Sequence, residues 1–194
     1  MYPDCPLYDG SDLSMPRSIP RARNERLVGD RGVVETTIRP YREADEPAVV
    51  RLSLRAWSPV PDSMRDVMGD EIFGRLHGED WRHQQQEDVE KTLRDEKSEV
   101  WVAEVDGDVA GFASAVMDAD TRVGEIHMVA VHPDFQNHGL GTQLTDVATD
   151  RLRHAGMTVV LVSTGGDIGH APARRTYEKA GFTPFPGVNY FKAL

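Results

Sequence analysis

The spacing of apolar residues predicts helices in the first part of the chain. Within EADEPAVVRLSLRAW, Ala48, Leu52 and Ala56 recur at helical spacing, and Pro47 suits a first helical turn. The residues SPVPDSM break this pattern. MRDVMGDEIFGRLHG then predicts a second, shorter helix or a pair of turns, and EDWRHQQQEDVEKTLRDEKS predicts a third helix that is largely solvated. Ahead of these helices, ETTIRP predicts a strand that ends at Pro40.

From residue 98 onward the pattern becomes that of strands. SEVWVAEV and VAGFASAVM flank an Asp-Gly turn and predict a hairpin, and VGEIHMVAVHP predicts the next strand. GTQLTDVATDRLRHAG predicts a helix whose apolar face consists of Leu140, Leu144, Val147, Ala148 and Leu152. MTVVLVST, a continuous apolar run, predicts a strand covered on both faces. HAPARRTYEKAG predicts a last helix, and FTPFPGVNYFKAL predicts one or two short strands.

This order of elements predicts an α/β fold of the α+β kind. Successive strands with short connections pair antiparallel, and only the strand–helix–strand unit over residues 123–163 requires a parallel pair. We therefore expect a mixed sheet with helices on its faces.

Composition indicates one domain and a tail. Residues 1–34 contain four prolines, scattered charges and no apolar periodicity, which predicts a flexible N-terminal extension before a domain over residues 35–194. No stretch approaches the ~20 consecutive apolar residues of a membrane span, and the start MYPDCPLYDG does not resemble a secretory signal. The one cysteine, Cys5, can form no internal disulfide. We expect a cytoplasmic protein with no membrane partner.

The net charge of −10 argues against nucleic acid as a partner, because an acidic surface repels phosphate backbones. A negative cleft favours cationic small molecules. Solubility alone also explains an acidic surface, so the net charge argues only against nucleic acid and does not identify a cationic substrate.

The stretch QNHGLG lies between the predicted strand VGEIHMVAVHP and the predicted helix that follows it. A strand that turns directly into a helix exposes the first unpaired amides of that helix, which attract anions. Gly139 and Gly141 would let a phosphate approach those amides. The lysine and Ser/Thr ending of an ATP-binding loop and the third glycine of a dinucleotide fingerprint are both missing. Taken alone, Gly-x-Gly equally fits a tight turn.

Two motifs in the right order resemble the GCN5-related N-acetyltransferases (GNAT). HPDFQNHGLGTQL resembles the acyl-CoA pyrophosphate loop of that family, with the pattern Q/R-x-x-G-x-G/A, and ARRTYEKAGF resembles its A-x-x-x-Y-E-K-x-G-F segment. The resemblance covers roughly residues 36–194. It implies a mixed, mostly antiparallel sheet of six to seven strands flanked by helices, with a splayed parallel strand pair at the cofactor site.

The resemblance also implies acetyl-CoA as co-substrate and a set of cofactor contacts. It implies that the pyrophosphate contacts Gln136, Asn137, His138, Gly139, Leu140, Gly141 and Thr142. It also implies that the pantetheine arm pairs with the backbone of Met128, Val129 and Val131. The family commonly has basic residues at the two positions where this chain has Asn137 and His138. This chain therefore lacks permanent positive charge at those positions near the phosphates. His170 stands where many relatives have an asparagine that contacts the cofactor arm, or it is simply a residue at a helix start.

Three further residues are catalytic or substrate-binding candidates. Tyr177 matches the family tyrosine that protonates the departing thiolate, although a packing role for its ring is the alternative. Glu125, eleven residues before Gln136, resembles the general base of histone-acetylating members. Strand alternation puts Glu125, His127, Val129 and Val131 on one face, with His127 as a substrate contact or alternate base. The alternative is a solvated strand end.

The resulting hypothesis is an N-acetyltransferase that moves an acetyl group directly to a primary amine, most readily of a small molecule. Protein lysine or N-terminal acetylation and a non-catalytic acyl-CoA sensor stay open, and residues 57–83 are expected to wall the acceptor site. The histidines lack metal-ligand spacing, so no metal is expected. Dimers are common in the family, which leaves a homodimer open.

Overall fold

The computed structural model describes residues 23–29, 32–78 and 80–194. Its strands are β1 (Arg23–Gly29), β2 (Gly32–Pro40), β3 (Glu99–Val105), β4 (Asp108–Asp118), β5 (Val123–Val131) and β6 (Val159–Val162). Its α-helices are α1 (Glu46–Ala56), α2 (Val60–Met68), α3 (Asp70–His77), α4 (Trp81–Arg94), α5 (Leu140–His154) and α6 (Ala171–Lys179). Short 3-10 turns lie at Glu43–Asp45, Pro133–Phe135 and Ile168–His170.

The strands of the described residues form one mixed sheet of six strands in the order β1-β2-β3-β4-β5-β6. Neighbours pair antiparallel except β5 and β6, which are parallel. The β3–β4 turn uses positive φ at Asp106 (52°) and Gly107 (89°), as the Asp-Gly signal predicts. Between β5 and β6 the chain crosses over through α5, which is the kind of connection that a parallel pair needs. The predicted fold class is confirmed.

Helices bury the sheet on both faces. On one face α5 packs its buried residues Leu140, Leu144, Ala148 and Leu152 against a cluster that includes Ile126. On the other face α1 and α4 pack against a second cluster around Phe112 and Ala130. The predicted apolar face of α5 is therefore its core-facing side.

Part of the N-terminal prediction lies outside the described residues. β2 begins at Gly32, so the predicted division between residues 34 and 35 falls within a strand. β1 pairs with β2 from Arg23 opposite Ile38 to Gly29 opposite Gly32. Residues 1–22 lie outside the described residues, and the extension stays a prediction for them.

The predicted break SPVPDSM is wrong in part, because α2 begins there at Val60. Pro61 falls in the first turn of α2, where its missing N–H leaves no intrahelical hydrogen bond unmade. The second predicted helix is divided instead at Gly69, whose φ of 80° interrupts the helical conformation.

Two predictions for the C-terminal part are also wrong. β6 is an edge strand with Val159 56% exposed, so it is not covered on both faces. Residues 182–194 contain no helix or strand. Pro184 and Pro186 supply no N–H to a strand ladder, which is a local reason for that absence.

None of the helices in the described residues is long and apolar enough to cross a membrane. The same residues contain no group of three or more His, Cys, Asp or Glu side chains able to hold a metal ion.

Candidate active site

The site lies where β5 and β6 separate. In the described part of the chain the two strands pair only from Val123 opposite Val159 to Ile126 opposite Val162. β5 continues to Val131 while β6 ends at Val162. The backbone of β5 beyond Ile126 therefore borders a gap on the side of β6. Met128, Val129 and Val131, the predicted pantetheine contacts, lie in this stretch.

A bulge in β5 corrects the predicted arrangement of side chains. Ser114 is opposite Met128 but the next residue, Ala115, is opposite Ile126, so His127 is an extra residue in the strand. Ile126 and Val129 consequently pack on the α5 side, three residues apart, and Met128 packs on the α1/α4 side. Alternation around the buried Ile126 directs Glu125 to the α1/α4 side as well.

Glu125, His127, Val129 and Val131 therefore do not share one face. Glu125 and His127 remain close, with 3.9 Å between Oε1 of Glu125 and Nδ1 of His127. Their side chains are 35% and 47% exposed. Both polar groups are thus open to solvent rather than enclosed in a dry core.

The loop QNHGLG turns from β5 into the start of α5. Gly139 has φ of 83° and Asn137 has φ of 65°, so two residues in the left-handed region make this corner. Leu140 is 1% exposed and anchors the first turn of α5 in the core. Asn137 and His138 are exposed, and Thr142 lies half-buried in the same turn. The first amides of this 15-residue helix, which lack partners within the helix, follow directly on the loop that leaves the end of β5.

Gly141 and Gln136 have structural contacts that the sequence did not predict. A Cβ at Gly141 would lie 3.3 Å from Cγ2 of Thr176, so α6 packs closely against the start of α5. The Gln136 side chain donates from Nε2 to the carbonyl oxygen of Val131 at 3.0 Å. Gln136 thus fastens the loop to the end of β5.

Tyr177 lies next to Thr176 on α6, which brings the tyrosine near the loop. Its ring is half-buried and stands with its centroid 6.2 Å from that of Phe182. Burial raises the pKa of Tyr177 to about 12. Because Phe182 packs with the α5-side cluster, Tyr177 lies on the α5 side of the sheet, whereas Glu125 is directed to the α1/α4 side.

His170 belongs to a hydrogen-bonded cluster whose other members the sequence analysis missed. Its Nδ1 contacts Oδ2 of Asp167. Oδ1 of Asp167 accepts hydrogen bonds from Oγ of Ser63 at 2.6 Å and from the amide of Gly169 at 2.9 Å. Asp167 caps the turn Ile168–His170, and an aspartate directly before a helical turn is a local sequence signal from which this role could have been predicted. Ser63, in contrast, lies 104 residues away along the chain, where no local pattern could indicate it.

Burial of the Asp167 carboxyl raises its pKa, but hydrogen bonds from Ser63 and His170 outweigh that effect and hold the pKa below its ordinary value. Asp167 is therefore an ionised acceptor at neutral pH.

Comparisons with known proteins agree with this geometry. Residues 66–182 match the model of the acetyltransferase (GNAT) family. The chain is 35% identical over 160 residues to the mycothiol acetyltransferase of Sanguibacter keddieii. The aligned region covers 76% of this chain and 49% of that protein. The chain spans about half the length of the curated relatives it matches.

Solved structures show the same fold. An aminoglycoside N-acetyltransferase in complex with CoA has a TM-score of 0.57 at 17% identity, over 82% of this chain and 95% of that one. A GNAT-family protein from Desulfovibrio desulfuricans has a TM-score of 0.57 at 25% identity, over 78% of this chain and 87% of that one. The resemblance predicted from the two motifs is confirmed, and the chain belongs to the acetyltransferase (GNAT) family.

Proposed function

We propose that the protein transfers an acetyl group from acetyl-CoA directly to a primary amine of a small molecule. The observation that carries the proposal is that β5 runs on past its pairing with β6 and then turns, through the loop QNHGLG, into the uncapped N-terminus of α5. A long cofactor with phosphates at one end and a thioester at the other fits this arrangement.

The phosphates would lie on the amides of the first turn of α5 and of the loop before it. Helix N-termini bind phosphate through such amides and the helix dipole. The pantetheine arm would extend along the backbone of Met128, Val129 and Val131, where β5 has parted from β6. This route brings the thioester toward the bulge at His127.

Glu125 would act as the general base, directly or through a water. A primary amine is mostly protonated at neutral pH and must lose a proton before its nitrogen attacks the thioester carbonyl. A strand amide near Val129 would stabilise the oxyanion. When the C–S bond breaks, its electron pair stays on sulfur, and Tyr177 would donate a hydrogen bond or a proton to that thiolate.

The segment of residues 57–83, which includes α2 and is expected to wall the acceptor site, favours a small acceptor over a protein. α2 contacts the turn Ile168–His170 through Ser63, so this helical segment lies against the start of α6 and would wall the acceptor side. The exposed acidic side chains of α2 and α3, such as Asp66, Asp70 and Glu71, add negative charge to this segment and suit a cationic amine. Two of the related proteins are named for small molecules, mycothiol and an aminoglycoside.

The test is thiol release from acetyl-CoA against a panel of amines, with acetyl-CoA affinity measured by calorimetry. The panel contains aminoglycosides, polyamines, amino acid derivatives, the acceptor of the mycothiol acetyltransferases and a lysine peptide. We expect turnover on one small-amine class, with kcat reduced about 10²-fold or more in Glu125→Gln while acetyl-CoA affinity is kept. Glu96→Gln, the same change at an exposed position outside the site, is the matched control.

Each alternative has its own result. Turnover on the lysine peptide alone would identify a protein acetyltransferase. Tight acetyl-CoA binding without turnover on any amine would favour a sensor. Failure to bind acetyl-CoA would overturn the assignment of the loop QNHGLG.

A further inference from the structure

The C-terminal segment, residues 183–194, exposes a run of apolar side chains. Phe185 is 97% exposed and Tyr190 is 92% exposed, so both rings stand away from the rest of the chain. Among the described residues, five of the nine exposed large hydrophobic side chains belong to this segment: Phe185, Val188, Tyr190, Phe191 and Leu194. Exposed apolar surface that is concentrated in this way marks an interaction site.

A stiff connector holds the segment away from its own domain. Phe182, which precedes it, packs with the α5-side cluster, and its amide donates to the carbonyl oxygen of Tyr177 at 3.0 Å. Pro184 and Pro186 fix their own φ and restrict the residues before them to extended conformations. Residues 183–186 therefore form a spacer about 13 Å long, at ~3.3 Å per residue. A short and stiff hinge favours exchange of the segment between two copies over folding back onto the same copy.

The second feature is the free edge of β6. β6 is the last strand in the order of the sheet, so among the described strands it pairs with β5 alone. Val160 and Val162 pack with the α5-side cluster, whereas Val159 is exposed. Residues 157–163, MTVVLVS, contain neither the charges nor the proline that usually protect a sheet edge. Such an edge is a template for the addition of another strand.

The segment matches this edge in composition and charge. Residues 188–194, VNYFKAL, contain no proline and have apolar side chains on both alternating faces, as in a strand that is covered on both sides. Lys192 is the one charged residue of this stretch, and residues 157–163 have none. Since the whole chain has a net charge of −10, these are surfaces on which two copies meet with little like-charge repulsion.

The contact is also large enough for a stable dimer. Aromatic side chains such as Phe185 and Tyr190 bury ~150–250 Å² each, so the four rings of two copies bury about 600–1,000 Å². The surface that they cover on the facing copy adds a similar area. The total of about 1,200–2,000 Å² is that of a specific interface of standard size.

We propose that the protein forms a dimer in which residues 188–194 of each copy pair, as an added strand, with the free edge of β6 in the other copy. The exchange is reciprocal, so a two-fold axis relates the copies and both edges are covered at once. The inference goes beyond the proposed function and does not depend on it, because it requires only the segment, its hinge and the edge of β6.

Sedimentation velocity on the full chain tests the exchange. Interfaces of this size have Kd values from μM to pM, so the wild type should be dimeric at tens of micromolar. Val159→Lys places a charge at the edge, and Tyr190→Pro removes a ring and a ladder N–H from the segment. Each change occurs twice in a dimer and should raise Kd by about tenfold or more. Val67→Lys, at an exposed valine of α2 that belongs to neither surface, is the matched control, and circular dichroism checks folding.

Mixing the two variants distinguishes exchange from other contacts. In a dimer of either variant with itself, both contacts contain a substitution. A dimer of Val159→Lys with Tyr190→Pro has one contact that contains both substitutions and one that contains neither. The two variants should therefore associate with each other more tightly than either associates with itself.

The results that overturn the inference are specific. A wild type that is monomeric at tens of micromolar overturns it, and so does a dimer that neither substitution weakens. Variants that associate no better when mixed than alone also overturn it, because the segment then does not cross between copies. None of these measurements involves acetyl transfer, so the proposed function and the inference can fail separately.

Discussion

Replacing Gly124 by alanine tests how closely β5 and α5 are packed beside the proposed base. A Cβ at Gly124 would lie 2.7 Å from Cδ2, 2.8 Å from Cδ1 and 3.0 Å from Cγ of Leu152. Ordinary carbon contacts lie at ~3.5–4.0 Å, so the new methyl is almost 1 Å too close. Leu152 is 1% exposed and has little space into which it can turn.

Overpacking of this kind costs about 1–3 kcal/mol. The lower chain entropy of alanine in the unfolded state offsets about 0.4–1 kcal/mol of that cost. We expect Gly124→Ala to lower the free energy of unfolding by about 1–2 kcal/mol, which corresponds to a fall in Tm of about 2–8 °C for a chain of this size.

Urea unfolding followed by circular dichroism provides the measurement. Gly74→Ala is the matched control, because a Cβ there meets nothing within 4 Å in α3. That change should stabilise the protein by about 0.5–1 kcal/mol, since alanine is the better helix former. In a Leu152→Ala background the methyl at position 124 has room, so the two changes should be coupled by ~1 kcal/mol or more.

Wild-type stability in Gly124→Ala would refute the close packing of β5 on α5. Equal losses of unfolding free energy in Gly124→Ala and Gly74→Ala would refute it as well, because they would indicate a general effect of alanine. Additive losses in the double variant would show that Leu152 is not the obstructing side chain.

Three other predictions concern stability and the site. Leu144→Ala should cost about 2–5 kcal/mol in urea unfolding, because Leu144 is fully buried beneath the sheet. Hydrogen bonds from Arg39 hold the pKa of Asp45 below its ordinary value, so the contribution of Asp45 to stability is present above its unfolded pKa of ~3.9 and is lost as pH falls through the folded pKa. The stability gap between wild type and Asp45→Asn should therefore be about 1.5–3 kcal/mol at pH 7 and shrink below about pH 4; a constant gap would contradict the assigned hydrogen bonds. Tyr177→Phe should lower kcat by about 10²-fold or more, because it removes the proposed donor to the departing thiolate. The pH dependence of kcat below pH 9 should stay that of wild type, because a pKa of about 12 keeps the Tyr177 phenol protonated there; a change in that profile would contradict the assignment.

The sequence determined the elements whose signal is local. The apolar positions of α5 recur every three or four residues, the Asp-Gly pair sets the β3–β4 turn, and the two motifs locate the loop and Tyr177. Each of these signals depends on a residue's own conformational preference or on neighbours within one or two turns. The fold class follows from them because the connections between successive strands are short or pass through one helix.

The tertiary structure decided features that depend on partners far along the chain. The bulge at His127 exists only because β5 pairs with β4 in that register, and it moved Val129 and Val131 to the face opposite Glu125. Alternation assigns faces by counting residues, so one inserted residue reverses every assignment after it. Position at the sheet edge likewise left β6 uncovered although its composition is that of a buried strand. The link from Ser63 to Asp167 arises only when α2 and the turn before α6 meet, and no pattern of spacing in one segment encodes a hydrogen bond to another.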